Sequence, residues 1–230
     1  MTEHDTGEAR GSDGMRRDDE GPGTEIRGGA ETDERISIVG EARLSDGWGK
    51  LTQYTLAYRR RDGTRQTLSR EVYDHGDGAA ILLYDRSRNT VLLTRQFRLP
   101  VYLGGDGSGF VEVCAGMLDA RAPEAAIRKE VEEETGVSVG EISEIGRYYM
   151  SPGSLSERLH CFVGAYSRAM RTGPGGGLVE EGEEIEALEI GFPEAMAMIR
   201  DGRIMDAKTV LLLQYAALEG LCSVRPAAGP

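Results

Sequence analysis

The chain has 230 residues, of which 39% are hydrophobic, enough for one domain with a small appendage and a sizeable core. A formal net charge of −12 argues against nucleic acid as a partner, and no run approaches the roughly 18 apolar residues that span a bilayer. The three cysteines, Cys114, Cys161 and Cys222, are far apart, which favours buried free thiols in a reducing cytoplasm.

The first 34 residues differ from the rest in composition. They hold eleven Asp or Glu and four Arg residues, a net charge of −7, and very few apolar positions. They lack the apolar run of a secretory signal peptide. This composition predicts a disordered acidic leader, with an interaction tail as the alternative.

Residues 35–72 show the alternating pattern of short strands. The Asp62-Gly63 pair inside this segment is a typical hairpin turn, so we predict a three-stranded antiparallel sheet. A sheet of this size is marginal alone and has open edges. We therefore expect it to pack on the main domain or on a second subunit, and we predict a homodimer.

Residues 73–220 contain the pattern of the main domain, and residues 221–230 are predicted to be a flexible tail. The predicted strands are 79–84, 90–94, 110–115, 144–150, 160–166 and 185–190, and the closing helices are 193–200 and 208–220. A Gly-rich loop at 172–178 lacks the Gly-Lys-Ser/Thr of a P-loop, so we interpret it as a mobile lid that carries the acidic cluster behind it.

The stretch 115–137 is the most informative part of the sequence. Pro123 suits the first turn of a helix and Gly136 suits its end. Glu130 and Glu134 are four residues apart, so they lie on one line along the helix, with Glu133 beside them. Like charges on one face disfavour a helix, which indicates a compensating divalent cation; a solvated acidic face is the alternative.

This stretch resembles the Nudix hydrolase motif G-x5-E-x7-R-E-U-x-E-E-x-G-U, where U is a bulky aliphatic residue. Gly116 opens the motif, and its second half matches at Glu130, Val131, Glu133, Glu134, Gly136 and Val137. Lys129 replaces the usual Arg, and the first half is one residue short, with Arg121 or Ala122 where the first Glu is expected.

The likeness to the Nudix family extends over about residues 70–220 and is greatest for the GDP-mannose hydrolase branch, followed by the ADP-ribose pyrophosphatases. It is carried by the runs Arg70-Glu-Val-Tyr-Asp74, Ala80-Ile-Leu-Leu-Tyr84, Arg95-Gln-Phe-Arg98, Met150-Ser-Pro-Gly153, Glu181 to Glu189 and Lys208-Thr-Val-Leu-Leu-Leu213. The resemblance implies an α/β (α+β) fold, an α/β/α sandwich around a mixed sheet, with the small N-terminal sheet helping to form a dimer.

The resemblance also implies roles for particular residues. The metal ligands, for Mg²⁺ or Mn²⁺, would be Glu130, Glu134, Glu183 and the carbonyl of Ala115. The catalytic carboxylates would be Glu181 as general base and Glu133 as an auxiliary group, and the substrate contacts would be Arg98, Glu112 and Glu157. A slip of one residue would exchange roles among Glu180, Glu181, Glu183 and Glu184.

The expected activity is magnesium-dependent hydrolysis of a nucleoside diphosphate sugar, first GDP-mannose to GMP and mannose 1-phosphate. ADP-ribose, cleaved to AMP and ribose 5-phosphate, is the second candidate. The departures at Arg121, Ala122 and Lys129 suggest an alternative from another class, a non-catalytic nucleotide-sugar sensor.

Overall fold

The computed structural model describes residues 33–225, which form two β-sheets and four helices. The predicted leader, apart from its last two residues, and the tail segment 226–230 lie outside the described residues. The strands are β1 (Ile36–Asp46), β2 (Lys50–Arg59), β3 (Arg65–Asp74), β4 (Gly78–Asp85), β5 (Thr90–Gln96), β6 (Phe110–Glu112), β7 (Cys114–Met117), β8 (Ile142–Tyr148), β9 (Leu159–Ala165) and β10 (Glu186–Gly191). The helices are α1 (Leu99–Gly104), α2 (Pro123–Thr135), α3 (Phe192–Arg200) and α4 (Ala207–Leu218).

The N-terminal strands form a separate antiparallel sheet in the order β1-β2-β3. The β2–β3 turn contains the predicted Asp62-Gly63 pair, with Gly63 in the left-handed region at φ 86° and Asp62 Oδ1 accepting from the Thr64 amide. Near its C-terminal end β3 contacts the main domain, where the Tyr73 amide donates to the Ser154 carbonyl at 2.8 Å. The small sheet is therefore tied by its backbone to the loop between β8 and β9.

The main sheet has the order β10-β5-β4-β9-β8, with β6 beside β5 and β7 beside β4. It is mixed, since β4 and β9 are parallel and the other pairs are antiparallel. Alternate residues of β4 enter different cores: Ile81 packs with Ile127 and Val131 of α2, whereas Leu82 packs with Leu212 of α4. Helices thus cover both faces, and the predicted sandwich is confirmed.

The structure differs from the sequence expectation at residues 110–115. They were expected to form one strand, but β6 pairs with β5 and β7 pairs with β4. The break lies at Val113, whose amide donates to the Thr209 Oγ1 of α4 at 2.7 Å instead of to a strand. This break turns the chain toward α4 just before the acidic helix.

Two further differences lie near the surface. The short helix α1 was not predicted; it has no buried residue and is marked only by a proline at its start. The expected tail at 221–230 is fixed in its first part, because Cys222 is buried and the Ser223 amide donates to Asn89 Oδ1 at 2.7 Å.

Candidate active site

A cavity of about 720 Å³ lies where the N-terminal sheet, β7, α2 and several loops meet. Six of the nine predicted site residues line it: Arg98, Ala115, Glu130, Glu157, Glu181 and Glu183. The other three, Glu112, Glu133 and Glu134, are not part of the lining. The cavity also contains residues that the sequence reasoning did not select: Trp48, His75, Asp119, Asp206 and Lys208.

Helix α2 brings one carboxylate of the acidic motif, Glu130, to the wall of this cavity. It begins at Pro123, and Gly136 ends it in the left-handed conformation at φ 69°. Glu130 lies against the β7 backbone: a Cβ atom on Gly116 would stand 2.4 Å from the Glu130 carboxyl carbon. The glycine that opens the motif therefore makes room for the glutamate fourteen residues later.

Glu134 lies deeper on the same helix and is 1% exposed. Its Oε2 has no hydrogen-bond partner among residues 33–225. Burial raises its pKa to about 8, and Glu112, Glu130 and Glu183 add to the rise, while the Cys114 thiol opposes it. Burial likewise raises the pKa of Glu130 to about 7, with help from Glu133 and Glu183. Both carboxylates lack a positive neighbour strong enough to hold them ionised.

Glu112 is equally buried but has two cationic partners. Its Oε1 accepts from Arg98 Nε at 2.7 Å, and its Oε2 accepts from Lys208 Nζ at 2.6 Å. Burial alone would raise its pKa, but Lys208 and Arg98 outweigh burial and lower it. Glu112 therefore holds in place two cationic side chains that line the cavity, and it is not itself part of the lining.

Lys208 could have been found from its sequence context. Asp206 precedes the apolar run of α4 and caps that helix, with Oδ2 accepting from the Thr209 amide at 3.0 Å. A lysine in the first turn of a capped helix is unusual, since the helix dipole favours acidic residues there. Here Asp206 and Glu112 overcome the effect of burial and raise the pKa of Lys208.

Glu133, expected as an auxiliary catalytic carboxylate, forms an ion pair with Lys129 one turn earlier on α2. Lys129 occupies the position where the motif usually has Arg. The pair partly offsets the repulsion among the helix carboxylates. In this conformation Glu133 faces that partner and not the cavity.

The shortened first half of the motif forms a tight turn. Asp119 and Ala120 both adopt the left-handed conformation, at φ 45° and 64°, which non-glycine residues seldom do. The Arg121 amide donates to the Leu118 carbonyl at 2.7 Å and closes the turn. The turn leaves Asp119 on the cavity wall, where no glutamate of the usual first half stands.

The acidic loop after the Gly-rich segment supplies Glu181 and Glu183. Glu181 belongs to a 3₁₀ turn (Val179–Glu181), and Glu183 Oε2 accepts from the Leu178 amide at 2.9 Å. The Gly-rich segment does not stand over the cavity as the expected lid; the amides of Gly176 and Gly177 donate to the last carbonyls of α2.

An aromatic wall comes from the N-terminal sheet. Trp48, in the β1–β2 turn, is 77% exposed and stacks on His75 with ring centroids 5.0 Å apart. His75 Nδ1 is buried without a hydrogen-bond partner within the described part of the chain. Glu157 stands on the same side of the site, and burial raises its pKa against the effect of His75 and Lys208. The lining of the cavity therefore combines ionic side chains with aromatic and polar ones.

Two parts of the chain match models of known protein families. Residues 74–196 match the model of the NUDIX domain, and residues 35–73 match the GDP-mannose pyrophosphatase NudK N-terminal domain. The chain belongs to the Nudix family.

The curated relatives match over most of their own length. GDP-mannose pyrophosphatase of Pectobacterium atrosepticum is 50% identical over 186 residues, which cover 80% of this chain and 95% of that protein. The proteins of the same name from Klebsiella pneumoniae and Citrobacter koseri are each 46% identical, covering 82% and 79% of this chain and 94% and 95% of theirs. Within residues 33–225, no helix is long and apolar enough to cross a membrane.

Proposed function

We propose that this protein is a pyrophosphohydrolase that cleaves GDP-mannose to GMP and mannose 1-phosphate. The observation that carries the proposal is the lining of one cavity by two kinds of charge. Glu130, Glu181 and Glu183 supply carboxylates, whereas Arg98 and Lys208 supply cations. The two cationic side chains suit the negative charge of a pyrophosphate. The carboxylates suit a divalent cation that would bind together with the pyrophosphate.

The residues present fit a hard cation such as Mg²⁺ or Mn²⁺. Glu134 keeps a buried oxygen without a partner, and burial together with neighbouring carboxylates raises the pKa of Glu130 and Glu134, an effect that a bound cation would offset. No three His, Cys, Asp or Glu side chains of residues 33–225 are already gathered as a ligand set. Glu130, Glu134, Glu183 and the Ala115 carbonyl would hold the cation.

The bound cation would neutralise phosphate charge and make an attacking water more acidic. Arg98 and Lys208 would hold phosphate oxygens, kept in place by the Glu112 carboxylate that both contact. Glu181, exposed in its loop, would take the proton of the water at its carboxylate. The nucleophile is then water, so no Ser, Cys or His of the chain forms a covalent intermediate.

The choice of GDP-mannose rests on the relatives, whose names state that activity. Trp48, His75 and Glu157 in the cavity lining suit a flat or hydroxyl-bearing ring next to the phosphates. A panel of nucleotide sugars with Mg²⁺, with products identified by mass spectrometry, tests the proposal. GMP and mannose 1-phosphate are the expected products; binding of GDP-mannose without any cleavage would instead establish a sensor.

Substitutions separate the proton acceptor from the metal ligands. Glu181→Gln should lower turnover by roughly 10²–10⁴-fold and leave Mg²⁺ affinity intact. Glu183→Gln should lower Mg²⁺ affinity together with turnover. Titration of Mg²⁺ into each variant with a non-cleavable analogue distinguishes the two effects. If Glu183→Gln loses turnover but not metal, while Glu181→Gln keeps turnover, the two roles are exchanged.

We also propose that the protein is a cytoplasmic homodimer. The three free cysteines are buried thiols, which suits a reducing compartment. The edge strand β1 exposes Ile36, Ile38 and Val39, an apolar surface that a second copy could cover. Light scattering at micromolar concentration should give twice the chain mass of 25.0 kDa; a monomer would contradict the dimer.

A further inference from the structure

The Gly-rich segment 173–177, here called the glycine clamp, connects the two acidic parts of the site. Its Gly176 amide donates to the Glu134 carbonyl at 2.9 Å, and its Gly177 amide donates to the Glu133 carbonyl at 3.0 Å. The Gly173 amide adds a bond to the Gly136 carbonyl at 3.1 Å. These carbonyls belong to the last turn of α2 and the residue after it, where a helix has no partners of its own.

The clamp is attached to the acidic loop as well. The Ile185 amide, just after the loop, donates to the Gly176 carbonyl at 3.0 Å. Glu183 lies over Gly177, so a Cβ atom there would stand 2.7 Å from Glu183 Oε2. Two successive residues of the clamp therefore bind the backbone of the helix carboxylates on one side and the base of the loop carboxylates on the other.

Only glycine can form this connection. Gly175, Gly176 and Gly177 have φ values of 69°, 113° and 80°. A Cβ atom on Gly175 would stand 2.6 Å from the Glu134 carbonyl oxygen, a backbone atom that cannot move aside without shifting α2. The close approach of the two backbones thus depends on the absence of side chains.

We propose that the glycine clamp is the positioning element of the metal site. It sets the distance between Glu134 on α2 and Glu183 on the loop, so the affinity for a divalent cation depends on backbone atoms that contact no ligand. This inference rests on the proposed function in one respect, that carboxylates of the helix and of the loop share a cation. The coupling is reciprocal: a bound cation should in turn stabilise the clamp.

A matched pair of variants tests the proposal. Gly175→Ala forces a side chain into the helix backbone, whereas Gly202→Ala places one at φ 83° with nothing within 4 Å. Both variants bear the strain of a left-handed alanine, but only the first displaces the clamp. We expect Gly175→Ala to weaken Mn²⁺ binding to the metal-free protein by about 10–100-fold, the range for changes outside the ligand set. Gly202→Ala should leave it unchanged.

The binding of Mn²⁺ is measured by electron paramagnetic resonance, without substrate, and circular dichroism confirms folding. Equal Mn²⁺ affinity of Gly175→Ala and the unchanged protein would overturn the clamp proposal and leave the proposed function standing. An unchanged protein that binds no Mn²⁺ would overturn both.

A second measurement needs no variant and applies even if Gly175→Ala does not fold. Addition of Mg²⁺ to the unchanged protein should slow hydrogen exchange at the Gly176 and Gly177 amides by at least about tenfold, because binding and clamp closure are linked. The Tyr54 and Leu56 amides of β2, in the other sheet, serve as the internal reference. Exchange at the clamp that does not respond to saturating Mg²⁺ would contradict the proposal.

Discussion

Glu112 and Glu134 are both 1% exposed, lie near the same cavity and have opposite electrostatic situations. The fold favours the ionised form of Glu112, because Arg98 and Lys208 contact its two oxygens. Within residues 33–225 Glu134 forms no ion pair and keeps Oε2 without a hydrogen-bond partner, and burial raises its pKa to about 8. The fold satisfies one buried carboxylate internally and leaves the other to be satisfied by something from outside.

This difference indicates where a positive charge from outside the chain would bind. A buried carboxylate without a partner lowers stability, so its presence requires a reason beyond folding. On the proposed function, the reason is the divalent cation that accompanies the pyrophosphate. Glu112 then contributes to binding of the same substrate, because it fixes the Arg98 and Lys208 side chains that would hold phosphate.

The largest expected effect concerns the satisfied carboxylate. Glu112→Gln leaves Lys208 buried without its strongest partner, and loss of one member of such a buried pair costs about 3–5 kcal/mol. We expect the lower end, since the Arg98 side chain is 41% exposed and water can replace Glu112 there. Urea denaturation at pH 7.5 measures the loss. Glu186→Gln, which breaks the exposed pair with Arg95, is the control and should cost under about 1 kcal/mol.

The next effect concerns the unsatisfied carboxylate. Glu134→Gln removes the buried charge, so the metal-free protein should keep or gain stability at pH 8, in contrast to Glu112→Gln. Its Mg²⁺ affinity should fall by more than the roughly 10–100-fold that a change outside the ligand set produces. Calorimetric Mg²⁺ titration and urea denaturation of the same sample give both numbers. A destabilised Glu134→Gln with normal Mg²⁺ affinity would show that Glu134 is structural.

A third, smaller effect is the pH dependence of metal binding. With pKa values of about 7 for Glu130 and about 8 for Glu134, both carboxyls are largely protonated near pH 6 in the metal-free protein. A cation must displace these protons, so Mg²⁺ affinity should rise with pH between about 6 and 8, by about tenfold per unit for each proton released. Titrations in buffers of different ionisation enthalpy count the protons. Glu134→Gln should release one proton fewer.

The parts of the molecule that the sequence predicted are those in which a local pattern decides the structure. The helix between Pro123 and Gly136 follows from its terminal residues and apolar stripe, and the N-terminal hairpins follow from alternation and the Asp62-Gly63 turn. Six of the nine predicted site residues line one cavity. They could be predicted because the sequence around them resembles motifs of a known family.

The parts that were missed depend on contacts between distant segments. The break at Val113 arises from Thr209, 96 residues later, and no local pattern marks it. Lys208 reaches Glu112 across the same separation, and Trp48 of the β1–β2 turn stacks on His75, which directly follows β3. The glycine content of the Gly-rich loop predicts a lid, but the loop packs against the end of α2. Glycine content alone cannot distinguish a free loop from one packed tightly against another backbone.

The last expected effect is on the pH dependence of stability, and it has opposite signs for the two glutamates. Glu134 has a folded pKa above its ordinary value of 4.5, so the folded state binds more protons than the unfolded state between pH 4.5 and about 8. Its charge therefore lowers metal-free stability as the pH rises through that window. Glu112 has a folded pKa below 4.5, so its contribution is present above pH 4.5 and is lost on further acidification.

Urea denaturation of the metal-free protein from pH 3.5 to 9 separates these contributions. Glu134→Gln should flatten the decline between pH 5 and 8 by a few kcal/mol, at about 1.4 kcal/mol per pH unit, and saturating Mg²⁺ should flatten it in the unchanged protein too. Glu112→Gln should flatten the acid side instead and leave the decline above pH 5 as it was. If Mg²⁺ flattens the profile of Glu134→Gln as much as that of the unchanged protein, the cation acts on another group, and the contrast between the two carboxylates does not locate the metal site.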